Sequence, residues 1–286
     1  MIIVHSLQAL RKALSGVPAY HPSVAFVPTM GALHQGHISL VTAARQLSPT
    51  VVVSIFINPT QFNDPADFTN YPKSLEQDID MLEAAGTGLL FLPEVATVYP
   101  QGTQHLPAYP LGRLEELLEG LHRPGHFQGV CQVVHRLLEA VQPGHLLLGA
   151  KDYQQCMVIR QLLQHTALPT QLHIVPTVRE ADGLAMSSRN RRLSADGRRQ
   201  AASLYRTLQW IDSQWPHQPP AVLEAEASRQ LLAAGFDSVD YVSISHAHTL
   251  EPLQQADAKE PAVVLAAAFL EGVRLIDNLP LGQRLA

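Results

Sequence analysis

The chain has 286 residues, 46% of them hydrophobic and 16% charged, a globular composition with length enough for a large domain plus a smaller one, each with its own core. A formal net charge of −5, a pI near 6.3 and the lack of any long Lys/Arg block argue against a duplex nucleic-acid footprint, so the expected partners are small molecules. No apolar run is long enough to span a bilayer, and residues 1–14 lack the basic start, long apolar centre and small-residue cleavage site of a signal peptide. No membrane contact and a cytoplasmic location are therefore expected.

Apolar runs bounded by turn residues predict strands over 24–27, 51–57, 89–92, 146–148 and 172–175. Between them, helical spacing recurs over 38–46, 74–85, 130–141 and 153–165. Strands alternating with helices predict a parallel α/β sheet of Rossmann-like type covered on both faces, here assigned to residues 1–180. Cys131 and Cys156 fall inside helical stretches and are expected to be reduced core residues. After Ser194 the sequence reads as an Arg-rich helix over 195–210, a Pro-containing stretch over 215–220 and another helix to about Ala234. Strands over 240–244 and 262–268 complete a smaller C-terminal α+β domain, 181–286, with the boundary near 176–188.

In parallel sheets, ligands gather beyond the carboxyl ends of the strands, and three segments there carry chemistry. Residues 24–41 run from a strand through a Gly-containing turn into a helix starting near Gly36. A helix start offers free N–H groups and the positive end of the dipole to a phosphate, and Gly36 removes a Cβ from its path. His34 and His37, three residues apart, fall on one face and can both donate to one polyphosphate. The alternatives are a metal site or two surface histidines, and zinc is disfavoured because no third ligand of obvious spacing follows. Residues 146–152 form a second strand-to-helix junction, where Lys151 can reach phosphate and Asp152 can accept from ribose hydroxyls. An ordinary helix start with Asp152 favourable to the dipole explains that segment equally well. Residues 184–191 form a polar loop whose Ser187 and Ser188 hydroxyls and Arg189 cation suit phosphate oxygens. Helix capping accounts for Ser194 before Ala195 better than for 187–190.

The His34-x-Gly36-His37 turn and the serine-rich loop together resemble the paired signatures of the nucleotidylyl-transferase superfamily, the first being its HIGH motif. More narrowly, Pro28-Thr29-Met30-Gly31-Ala32-Leu33-His34, Asn58-Pro59-x-Gln61-Phe62, Arg123-Pro124-Gly125-His126-Phe127, Lys151-Asp152-x-Gln154-Gln155 and the run from Arg179 to Asn190 resemble the pantothenate synthetase family across nearly the whole chain. The resemblance implies an ATP-dependent ligase that joins pantoate to β-alanine through a pantoyl adenylate, releasing pyrophosphate and AMP. It implies a homodimer whose C-terminal domain closes over the site. It also implies that Met30, Gly31, His34, Gly36, His37, Gly149, Lys151, Asp152, Val178, Met186, Ser187, Ser188 and Arg189 bind ATP, with His37, His34, Lys151 and Arg189 catalytic. Gln61 and Gln155 would bind pantoate, and Asn58, Gln61 and Arg189 would help place β-alanine. Mg²⁺ would accompany ATP as cofactor, with Asp78 or Asp80 as a candidate ligand. The sequence departs from the family pattern at Ala150, at Gln128, where arginine is common, and around 243–246.

Two other readings remain at this stage: an adenylyltransferase acting on another small acid, and a nucleotide-binding protein without turnover. Against the first stand the two neutral amides with no extra basic cluster. Against the second stands the joint presence of His34, His37, Lys151 and Arg189. A tRNA synthetase is disfavoured by the acidic balance and the missing anticodon-sized domain.

Overall fold

The computed structural model describes residues 1–63, 68–69 and 71–282. Its contacts separate two units: Met1–Glu115 with Arg123–Ala150 and Gln155–Pro176, and Glu116–His122 with Lys151–Gln154 and the chain from Thr177 onward.

The first unit is built on six strands, β1 (Ile2–Val4), β2 (His21–Thr29), β3 (Thr50–Ile55), β4 (Leu89–Phe91), β5 (Pro143–Gly149) and β6 (Gln171–Val175). They lie in the order β1-β4-β3-β2-β5-β6 with every neighbouring pair parallel. The central strands read as unbroken apolar runs because both faces are covered: Val24, Ala25, Phe26 and Val27 of β2 and Val51, Val52 and Val53 of β3 are all buried. Helices α2 (Gln35–Leu47) and α3 (Leu75–Ala84) cover one face. There Leu40, Val41, Ala44 and Leu82 pack with Ala25, Val27, Val51, Val53, Leu90 and Leu147. Each Val or Leu among them contributes about 1.5–3 kcal/mol on burial. Strand residues of the other parity, Phe26, Val52, Phe91 and Leu146, point to the opposite face. Helix α1 (Leu7–Ala13), α4 (His126–Val141) and α5 (Tyr153–Thr166) complete the set. Cys131 and Cys156 are buried thiols outside any disulfide, as expected.

Strand β1 was not signalled by the sequence, because it is three residues long and lies at an edge with Ile2 and Ile3 exposed, so no long apolar run forms. More consequential is the strand order. From β2 the chain moves outward to β3 and β4 on one side, whereas β5 and β6 lie on the other. The direction of winding therefore reverses between β2 and β5, and the loops leaving their carboxyl ends diverge to form the usual ligand crevice of open α/β sheets.

The second unit has an antiparallel sheet of β7 (Ser238–His246), β8 (Ala262–Leu270) and β9 (Val273–Pro280), in that order. Helices α6 (Ala195–Ala201), α7 (Ser203–Gln214) and α8 (Pro220–Ala233) accompany it. The single helix expected over 195–210 is two, parted at Ala202. No Gly or Pro marks the break, so periodicity runs through it. Strand β9 went unread because Asp277 and Asn278 interrupt its apolar alternation, yet both are buried.

Two short segments that patterning placed with the first region cluster with this unit. Glu119, from the first of them, accepts from Arg274 Nη1 and Tyr241 Oη at 2.7 Å each, and Arg274 Nε donates to Asp240 Oδ2 at 2.7 Å. In the second, Gln154 Oε1 accepts from Glu119 N at 2.9 Å, and Tyr153 Oη donates to the Ala247 carbonyl at 2.9 Å.

Candidate active site

The turn after β2 is held by side chains that contact its backbone. Thr29 Oγ1 donates to the Ser54 carbonyl at 2.8 Å and accepts from Gly31 N at 3.3 Å. Gly31 and Ala32 both adopt left-handed φ values, +82° and +51°. A Cβ at Gly31 would also lie 3.0 Å from Ile55 Cγ2 and 3.1 Å from Asp78 Oδ2, so both conformation and space require glycine there. Asp78, at the start of α3 and 2% exposed, accepts from Ala32 N and Leu33 N at 2.8 Å each and from Ser74 Oγ at 3.0 Å. Its two oxygens are thus engaged in fixing the turn, an anchoring role that the reading of Asp78 as a candidate magnesium ligand did not include. Asp80 is exposed on the same helix, and among the described residues no group of three His, Cys, Asp or Glu side chains could hold a metal.

His34 is the N-cap of α2 and His37 its third residue, and the two close a reciprocal box. Gly36 N donates to His34 Nδ1 at 3.1 Å, and His34 N donates to His37 Nδ1 at 3.3 Å. The ring centroids are 4.1 Å apart, so the expected pairing on one face is realised. One expectation is corrected: the amide of Gly36 is not a free anion donor, because the His34 ring satisfies it. Accepting at Nδ1 places the proton of each neutral imidazole on Nε2. The pair sits at the positive end of the helix dipole, which favours an anion there.

Beside this turn, Gln61 Nε2 lies 3.2 Å from Met30 Sδ. Asn58, 1% exposed, has its amide fully engaged, with Nδ2 donating to Gln61 Oε1 and to the Gly129 carbonyl at 3.1 Å each. At the end of β5, a Cβ added to Gly149 would meet nothing within 4 Å. The start of α5 presents Gln155, which is half-buried. Gln128, the departure noted above, bonds the Tyr109 backbone through both ends of its amide, at 2.9 Å each, and also reaches Glu115.

In the second unit, Lys151 Nζ lies 3.7 Å from Asp152 Oδ1, and Asn278 Nδ2 donates to the Lys151 carbonyl at 2.9 Å. Arg179 grips Asp277 with two nitrogens, at 2.6 and 3.0 Å, and also donates to the Gly183 and Asn278 carbonyls. Its guanidinium lies 3.6 Å from the Tyr205 ring centroid. Burial pushes the Asp277 carboxyl above the usual carboxylate range, and Arg179 pulls against that rise. Backbone bonds from Met186 N to Val178 O and from Glu180 N to Leu184 O, 3.0 and 2.9 Å, make a hairpin that delivers the serine loop. Capping does reach this loop: Ser187 is the N-cap of a 3₁₀ turn, Ser188–Arg192, and its Oγ accepts from Arg189 N at 3.3 Å. Ser188 is buried.

A turn of paired imidazoles at the switch point and a serine-capped cationic turn are the parts expected of a nucleotide-activating enzyme, and comparison with known proteins narrows the class. Residues 2–280 match the family described as Pantoate-beta-alanine ligase. The chain belongs to the pantoate-β-alanine ligase family. Among its relatives, the pantothenate synthetase of Cytophaga hutchinsonii is 44% identical over 281 residues, covering 98% of this chain and 99% of that one. The pantothenate synthetase of Xanthomonas campestris is 46% identical over 279 residues, with coverage of 96% and 98%. The crystal structure of the Thermus thermophilus pantothenate synthetase superposes with a TM-score of 0.90 at 42% identity, covering 98% and 99%. A Francisella tularensis pantoate-β-alanine ligase, solved as a complex with β,γ-ATP and β-alanine, has a TM-score of 0.82 at 35% identity, covering 98% and 97%. The parallel six-stranded sheet with a smaller α+β unit is the architecture of this ligase family. Sequence reasoning missed the residues behind the site, namely Asp78 in its anchoring role, Tyr99, Gly129, Asp277 and Asn278. Only the oddity of acidic and amide residues inside apolar patterns could have flagged Asp78, Asp277 and Asn278, and Tyr99 and Gly129 carried no such signal.

Proposed function

We propose that this protein condenses pantoate with β-alanine at the expense of ATP. The observation that carries this reading is the Asp78-anchored turn bearing the reciprocally capped His34–His37 pair, set in a chain whose family match runs from residue 2 to residue 280. A carboxylate is a poor electrophile because an attacking amine would have to expel oxide. Pantoate's carboxylate oxygen attacks the α-phosphorus of ATP, the bond to the β-phosphate oxygen breaks and pyrophosphate leaves. The β-alanine amine then adds to the acyl carbon of the mixed anhydride, loses a proton and expels AMP.

In this scheme His34, His37, Lys151 and Arg189 stabilise the charge on the phosphoryl oxygens and on departing pyrophosphate, with the Ser187 and Ser188 hydroxyls as further donors. Met30, Gly31, Gly36, Met186 and Val178 line the nucleotide, while Gly149 and Asp152 meet the ribose. The open space at Gly149 is what a close backbone approach needs. Gln61 and Gln155 hold pantoate by neutral amides, which bind its oxygens without quenching the nucleophile. Arg189 and Gln61 place β-alanine, and Asn58 contributes through Gln61. Mg²⁺ would accompany the nucleotide and would supply charge neutralisation of the triphosphate, beside the cationic side chains of Lys151 and Arg189. A homodimer acting in the cytoplasm on these small molecules, without nucleic acid or membrane, completes the reading.

The test is pyrophosphate release from ATP and pantoate, with and without β-alanine. The expected result is a single burst of pyrophosphate with pantoate alone, and continuous AMP and amide formation once β-alanine is added. An adenylyltransferase for another acid would leave pantoate unreacted, and a nucleotide-binding protein would release no pyrophosphate with either addition.

A further inference from the structure

An amide side chain can present either end to a ligand, and which end it presents is settled by the groups behind it. Behind Gln61 those groups are unambiguous. The Gly129 backbone carbonyl, 3.1 Å from Asn58 Nδ2, can only accept, so the Asn58 nitrogen faces it. On the other side, Asn58 Oδ1 accepts from Thr60 N at 3.4 Å, from Thr60 Oγ1 at 3.1 Å and from Tyr99 Oη at 2.8 Å. With the Asn58 amide fixed at both ends, its second N–H meets Gln61 at 3.1 Å, and the atom that receives it must be Oε1.

Three further contacts hold this arrangement in place. His126, 6% exposed, bonds the Gln61 backbone carbonyl through Nδ1 at 2.7 Å. Gly129 lies so close to the preceding turn that a Cβ there would sit 2.4 Å from Thr60 O, and glycine alone lets the α4 backbone carbonyl reach Asn58. Tyr99 is itself buried at 2% exposure, and the Arg136 guanidinium lies 5.3 Å from its ring centroid. Burial also pushes the Tyr99 hydroxyl upward in pKa, which keeps it a donor.

We infer that Tyr99, Asn58 and the Gly129 carbonyl form a polarity lock that makes Gln61 a hydrogen-bond donor to its ligand, so that the subsite accepts an oxygen lone pair and rejects an N–H or ammonium group. Hydrogen bonds run in one direction from Tyr99 Oη to Asn58 Oδ1, from Asn58 Nδ2 to Gln61 Oε1, and from Gln61 Nε2 to Met30 Sδ, with the second Nε2 hydrogen as the donor to the ligand. The inference rests on the pantoate-ligase reading, in which the oxygen belongs to pantoate's carboxylate or hydroxyls. It makes Tyr99 and Gly129 positioning residues that act through Asn58 and Gln61.

The experiment is a double-mutant cycle on the full chain, read as KM for pantoate and KM for ATP in pyrophosphate release. The variants are Tyr99→Phe and Asn58→Leu, each alone and in a Gln61→Met background. One hydrogen bond's worth of orientation predicts that either variant alone raises pantoate KM about three- to tenfold while ATP KM stays within about twofold. In the Gln61→Met background the same substitutions change pantoate KM less than about twofold, because the amide they orient is gone. Should Asn58→Leu fail to fold, as judged by its thermal transition, the milder Tyr99→Phe pair decides alone. Equal rises for both substrates, or rises that persist without Gln61, would mean a merely structural role and overturn the lock. Wild-type protein inert toward pantoate is a separate result that overturns the substrate assignment itself.

Discussion

Asp78 is the residue whose replacement most directly tests how the imidazole turn is held. In Asp78→Asn the side-chain shape is kept but one end of the carboxylate becomes an N–H₂ group. If that end faces Leu33 N and Ser74 Oγ, two bonds are lost; if it faces Ala32 N, one is lost, so the second orientation is the less costly. It still removes one charge-assisted bond of about 1.5–3 kcal/mol and leaves two N–H groups opposed in a buried site, a further penalty of about 1–3 kcal/mol. The remaining two bonds weaken to neutral strength. The sum is a loss of about 2.5–6 kcal/mol, which corresponds to a fall in melting temperature of about 4–10 °C for a chain of this size. Because Ala32 and Leu33 immediately precede His34, the turn shifts as well, and a displacement of about 1 Å costs on the order of a hundredfold in rate. Urea unfolding and pantoate-dependent pyrophosphate release measure the two effects. If the variant unfolds at the wild-type urea concentration, Asp78 is not the anchor of this turn; if excess Mg²⁺ restores its full rate, its carboxylate serves the metal.

Replacing His37 with alanine is expected to slow adenylation roughly ten- to a thousandfold, the scale of a lost transition-state donor; single-turnover pyrophosphate release reads it, and an unchanged rate removes His37 from the chemistry. Gln155→Ala is expected to raise pantoate KM with ATP binding little altered, checked by separate titrations, and a matching collapse of ATP affinity would misplace the pantoate pocket. Arg198, bonded to Asp182 at 2.7 Å, holds that carboxyl below its ordinary value. A lowered folded-state pKa contributes stability that is present above the unfolded value and is lost as pH falls through the folded one. Asp182→Asn is therefore expected to destabilise the protein at pH 7, by no more than about 1 kcal/mol for so exposed a pair, with the difference from wild type in urea unfolding shrinking as pH falls below the ordinary carboxylate range. Burial pushes the Cys131 thiol up to about 12, and both cysteines are buried. Thiol reagents at pH 8 are expected to label neither until urea unfolds the chain; rapid labelling of the native protein would contradict that packing.

The parallel sheet was legible in the sequence because its strands are buried on both faces, and Val51, Val52 and Val53 need no alternation to be seen. Spacing alone announced the imidazole pair, since a helix start after a strand brings positions i and i+3 together. What spacing could not announce is that His34 and His37 cap one another's backbone, because the same residues three apart also fit a metal site or a bare surface. Strand β9 was hidden for a physical reason of the same kind: Asp277 and Asn278 read as loop residues, but Arg179, nearly a hundred positions away, makes their burial tolerable. Partners that distant leave no local trace in a sequence.

These hidden residues share a design. Asp78, Asn58 and Asp277 are 2%, 1% and 2% exposed, and each stands directly behind a group assigned to a ligand: the imidazole turn, the Gln61 amide, and the Lys151 backbone by way of Asn278. Burying such groups costs several kcal/mol before their hydrogen bonds offset it, and apolar residues of similar volume often serve stability equally well. Stability alone therefore does not account for three of them. Orientation does, because a carboxylate or amide can fix the direction of a neighbouring N–H or C=O, which an isopropyl group cannot. Transition-state stabilisation by fixed dipoles depends on those dipoles not reorienting as charge develops. A buried polar residue one bond removed from the ligand is the means of preventing that, and its removal is expected to lower the rate more than the stability loss alone would account for.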